Sequence, residues 1–138
     1  MKNLQKIQDI IIWYNQTGYK DLGIALLMDN YRKLATELAF FAECLGDTKI
    51  AYHKAYFLRK KGYIDKKADS MNFDNSATLS EVLAQKGIEA ELKTECATEA
   101  KAQKETLILH QANKVLDAMS QHLSILKKEQ YTMEKSQI

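Results

Sequence analysis

Residues 27–45 read LMDNYRKLATELAFFAECL, and the spacing of their apolar side chains decides the fold class. Leu27, Tyr31, Leu34, Leu38, Phe41 and Leu45 follow one another at intervals of 4, 3, 4, 3 and 4. Residues three and four apart share a face of an α-helix, so the run predicts a helix with a heptad-type seam. A second seam of the same kind runs through Leu109, Ala112, Leu116, Met119, Leu123 and Leu126. The chain of 138 residues has no proline and only five glycines, so little in it interrupts helices. The expectation is an all-α protein of one domain across residues 1–138.

Outward from the seams, Leu4, Ile7, Ile11 and Tyr14 predict a short helix over 3–16, ended by Thr17-Gly18. The first long helix is expected from Lys20 or Asp21 to about residue 61, continuous or slightly bent at Gly46. Residues 62–77, GYIDKKADSMNFDNSA, lose the period and hold turn-forming residues, so a loop is expected there. Thr78 and Glu81 fit a capping box, with Ser76 or Ser80 as alternative caps, at the start of the second long helix. Gly87 is a candidate kink, and the polar tail after Lys127 is expected to fray. The expected architecture is a short helix and then two long antiparallel helices. Two such helices leave apolar seams uncovered, which points to a bundle or a coiled-coil-like homo-oligomer. The residues expected at the oligomer interface are Leu34, Leu38, Phe41, Leu116, Met119, Leu123 and Leu126.

Several classes find no support in the residues. No run of eighteen apolar residues exists, so no membrane span is expected. The opening MKNLQKIQDI lacks the pattern of a secretory signal, and Cys44 and Cys96 have no CxxC spacing. These features fit a cytoplasmic protein with free thiols. His53, His110 and His122 are dispersed, and no zinc, phosphate-loop or dinucleotide motif occurs. Glu91 and Glu95, four apart among lysines, read as a solvated face rather than an acid/base pair. No cofactor and no catalytic site are expected.

One stretch stands apart. Residues 49–67, KIAYHKAYFLRKKGYIDKK, carry seven basic residues against Asp65 alone, about +6 in a chain of net charge +2. Tyr52, Tyr56, Phe57 and Tyr63 are interleaved with the cations. On a helix Lys54, Leu58 and Lys61 share one face, and Tyr52, Tyr56, Arg59 and Tyr63 another. Cations with aromatic rings suit the phosphates and unstacked bases of single-stranded nucleic acid. The candidate contacts are Lys54, Tyr56, Arg59, Lys60, Lys61, Tyr63, Lys66 and Lys67. The same pattern also suits a core edge of tyrosines with lysines extending past it, or a surface that meets an acidic protein.

The order of these elements resembles the UvsY-like recombination mediators of T-even bacteriophages. The resemblance covers roughly residues 25–130: a basic helix with Lys54-Ala55 ahead of Gly62, a loop with Asp69-Ser70-Met71, and a long helix from Ser80 to Gln130. Where that family has Lys-Ala-Arg, this chain has Lys54-Ala55-Tyr56, and Arg59, Lys60 and Lys61 lie one turn further on. The resemblance implies a ring-shaped homo-oligomer that binds single-stranded DNA without doing chemistry. It also implies a recombinase and a single-strand-binding protein as partners, in the host cytoplasm. The other reading of the residues is a phage-type helical adaptor, scaffold or inhibitor that docks a host or viral protein.

Overall fold

The structure, a computed structural model, describes residues 2–17 and 23–136. The fold is all-α, with helices α1 (Lys2–Thr17), α2 (Ile24–Asn72), α3 (Ala77–Gly87) and α4 (Glu89–Ser136). The expected Gly18 cap and the helix start at Lys20 or Asp21 lie outside the described residues. Helix α2 runs through Gly46 without a break. An interior glycine costs about 1 kcal/mol, less than one well-buried leucine contributes. The chain forms two compact units. One holds α1, α2 as far as Cys44, and α4 from Leu107; the other is Leu45–Thr106.

The first unit is a three-helix bundle with a continuous apolar core. Ile7 and Tyr14 come from α1, Leu27, Leu34, Leu38 and Phe41 from α2, and Ala112, Met119 and Leu123 from α4. Leu4, Trp13, Tyr31, Leu116 and Leu126 are partly buried against it. Asn3 Nδ2 donates to the Glu37 carbonyl at 3.1 Å, and the Tyr14 ring lies 6.3 Å from that of His122. These contacts tie α1 to both long helices. The residues expected at an oligomer interface lie in or against this core. Leu34, Leu38, Phe41, Met119 and Leu123 are interior, and Leu116 and Leu126 line the same core. The seams find their partner within the chain, because α1 supplies the third side that two helices lack.

The second unit is built differently. Its buried side chains are mostly small or polar: Ala55, Ala84 and Ala102, Thr48, Ser70 and Ser80, and the carboxylates Glu95 and Glu105, with Leu45 and Ile88 as the larger apolar members. Here α2 runs antiparallel to the α3–α4 strand of chain. Arg59 meets Glu95, a Cβ on Gly62 would lie 3.4 Å from Ile88, and Lys66 reaches Gly87. Helix α3 buries Ser80 and Ala84 but exposes Leu79, Val82 and Leu83.

The loop expected at 62–77 is mostly helix. Helix α2 continues to Asn72, and the connection closes within four residues. Gly62 packs near Ile88, and Tyr63, Lys66 and Ser70 are at least half-buried, so tertiary contact overrides local turn preference. The turn itself is tight. Phe73 N–H donates to Ser70 O and Asp74 N–H to Met71 O, both at 3.1 Å. Asp74 has φ 61°, in the left-handed region that aspartate tolerates better than most residues. Asn75 Nδ2 donates to Ser70 O at 3.0 Å. Ser76 is the cap of α3, its Oγ accepting from Leu79 N–H at 3.1 Å, so the cap falls on the alternative rather than on Thr78. A break at Gly87–Ile88 separates α3 from α4, where a single helix with a kink was expected. The expected frayed tail is helical to Ser136.

Two outcomes test this packing. Phe41→Ala lowers the unfolding free energy in urea by about 3–5 kcal/mol, because Phe41 is buried in the core of the first unit. A Cβ at Gly46 would meet nothing within 4 Å. Gly46→Ala therefore raises stability by about 0.5–1 kcal/mol in urea unfolding, the ordinary gain from removing a helical glycine.

Candidate functional site

All eight candidate contacts lie on α2 within the second unit, on a helix held against α3 and α4 along one side. They do not form one surface. Arg59 faces inward: its Nε donates to Glu95 Oε2 at 2.6 Å and its terminal nitrogen to Oε1 at 3.0 Å. This two-pronged pairing occupies the guanidinium fork, the geometry that would otherwise grip a phosphate. Glu95 is only 6% exposed, so it is not part of the solvated face expected from its neighbours. The hydrogen bond from Arg59 is the main cause that lowers the Glu95 pKa, and the bond to Glu95 raises that of Arg59. Lys66 is also engaged, its Nζ donating to the Gly87 carbonyl at the end of α3, where a cation suits the helix dipole. Two of the eight therefore hold the unit together.

The remaining residues fall on two strips of α2. On the first, half-buried tyrosines alternate with lysines. Lys60 Nζ sits 4.7 Å from the Tyr56 ring centre, and Lys67 Nζ lies 5.9 Å from that of Tyr63. Tyr52 and Tyr56 have ring centres 6.4 Å apart, and the Arg59 guanidinium lies 5.2 Å from the Tyr56 ring. Partial burial, then the carboxylates of Glu99 and Glu95, raise the pKa of Tyr52. Tyr56 and Tyr63 are seven residues apart, about 10.5 Å along the helix. This strip joins cations to ring faces at a regular interval.

The second strip carries Lys54 and Lys61, both exposed, beside side chains that the charge pattern had obscured. Ile50, Phe57, Ile64 and Met71 are 54%, 64%, 63% and 49% exposed. They recur every seven residues on the side of α2 opposite the buried Ala55 and the half-buried Arg59 and Gly62. Ile50, His53, Lys54, Phe57 and Leu58 line a shallow, largely apolar hollow. The sevenfold spacing is visible in the sequence, but attention to charge passes over it.

Among the described residues, no three His, Cys, Asp or Glu side chains are grouped so as to hold a metal ion. Among them, too, no helix is long and apolar enough to cross a membrane. No family model, curated protein or solved structure matches the chain.

The Arg59–Glu95 pair gives a pH signature. A carboxyl pKa held low in the fold contributes stability above the unfolded glutamate value, about 4.3, and that contribution is lost as pH falls through the lower folded value. The melting temperature of the wild type therefore falls as acid passes below about pH 4.3. Glu95→Gln melts lower than the wild type at neutral pH and shows a shallower acid decline, read by circular dichroism across a pH series.

Proposed function

We propose that this chain is a non-enzymatic helical protein that binds single-stranded nucleic acid, DNA foremost, along the tyrosine strip of α2. The observation that carries the reading is the repeated cation–ring pair, Lys60 on Tyr56 and Lys67 on Tyr63, on one edge of α2. Lysines supply phosphate contacts, and ring faces accept bases that duplex DNA keeps stacked. Lys54 and Lys61 extend the positive field from the neighbouring strip. Arg59 and Lys66 act indirectly, by fixing the helix that presents the others.

The finer role is that of a recombination mediator. A homo-oligomer repeating this strip would add weak sites into avid binding, and would assist the loading of a recombinase in place of a single-strand-binding protein. Its subunit contacts would use surfaces other than the Leu34–Phe41 and Leu116–Leu126 seams, which the first unit already buries. A second reading, the helical adaptor, draws on the exposed apolar side chains of the other strip.

Anisotropy of a labelled oligo-dT tests the reading. Binding at low salt is expected, weaker for the matching duplex, with affinity falling steeply as salt rises. Replacing Lys60 and Lys67 together by alanine reduces the slope of log K against log salt by about 1.4, at about 0.7 per phosphate contact. Tyr56→Ala weakens binding by about 1–3 kcal/mol, the range for a lost base stack. Absence of binding at low salt, or binding indifferent to salt, ends the proposal.

A further inference from the structure

The apolar residues on the outer strip of α2 have the arrangement of a docking seam. Ile50, Phe57, Ile64 and Met71 occupy every seventh position over three repeats. Seven residues are nearly two turns, so these side chains form one ridge along about 31 Å of helix. Each is about half exposed or more, and the side of α2 facing α3 and α4 is lined instead by small and polar groups. The ridge is narrow. In heptad terms it fills one apolar position, while the second apolar position falls on His53, Lys60 and Lys67 and the adjoining flank on Lys54 and Lys61.

Those charges identify the occupant. Two copies of the ridge laid together would oppose lysine to lysine along both flanks, a repulsive pattern that disfavours self-pairing. A bilayer surface calls for a wide apolar face, whereas lysines confine this one on either side. A helix with its own apolar stripe and acidic flanks meets both requirements. Its apolar residues bury Phe57 and its neighbours, and its carboxylates pair with Lys54, Lys60 and Lys61. We infer that the outer strip of α2, centred on Phe57, is a docking seam for an acidic amphipathic helix of a partner protein. This surface adjoins the tyrosine strip, with Lys60 on their shared border, and does not depend on nucleic-acid binding there.

The test uses the full chain and two synthetic peptides of about three heptads, with leucine at both apolar positions and either glutamate or lysine at the flanks. The glutamate peptide binds in isothermal titration and the lysine peptide does not. Phe57→Ser weakens binding about 30-fold, the scale of a lost hot-spot side chain. Because Phe57 is exposed, that variant keeps the wild-type melting temperature, and Ile64→Ser serves as an independent second variant. Changing Lys54 and Lys61 together to glutamate exchanges the preference, so that the lysine peptide now binds better. Oligo-dT affinity is unchanged by Phe57→Ser. The inference is overturned if neither peptide binds, or if both bind equally. It is also overturned if sedimentation shows a wild-type self-association that Phe57→Ser abolishes. Loss by Phe57→Ser of affinity for oligo-dT or phosphatidylserine vesicles, with peptide binding unaffected, has the same consequence.

Discussion

The second unit depends on the fork between Arg59 and Glu95. Around it the interior offers alanine, serine and threonine, which bury little apolar area each. Small side chains let helices approach closely but leave them few contacts by which to define register. The paired hydrogen bonds at 2.6 and 3.0 Å define it instead, because a guanidinium and a carboxylate meet in one plane and one orientation. Such a pair need not exceed an apolar contact in net stabilisation. Its importance is that either partner left alone would be a charge with poor access to water. The first unit needs no such device, since leucine, phenylalanine and methionine fill its centre.

That contrast separates what was legible in the sequence from what was not. The seams through Leu27–Leu45 and Leu109–Leu126 were readable because three-and-four spacing is a local property of a helix. What covers them was not, because the closure by Ile7 and Tyr14 of α1 is a long-range event that no spacing records. The stretch after Gly62 has the composition of a turn, and composition describes the isolated chain. In the fold, Ile88 beside Gly62 and Gly87 beside Lys66 hold those residues helical. The true turn, with Asp74 in a left-handed conformation, occupies only the last part of the stretch.

The basic block shows the same division. Counting charge located the segment but treated its cations as equivalent. Arg59 pairs with Glu95 and Lys66 with the Gly87 carbonyl, Lys60 and Lys67 lie against rings, and Lys54 and Lys61 border an apolar ridge. Period of 3.6 combined with charge separates two faces, as it did for Tyr56 and Lys54. It does not identify which cation has a carboxylate waiting 36 residues away. Glu95 carried no visible mark either, because the nearby Lys93 and Lys101 suggest an exposed surface.

Helix α3 turns Ser80 and Ala84 inward and Leu79, Val82 and Leu83 outward, and the Ser80 hydroxyl has no hydrogen-bond partner among the described residues. A segment attached by so little apolar area has a small free energy of local opening. Amide protons along its backbone are therefore expected to trade with solvent deuterium by brief detachments of a few turns, ahead of those at the buried centres of α2 and α4.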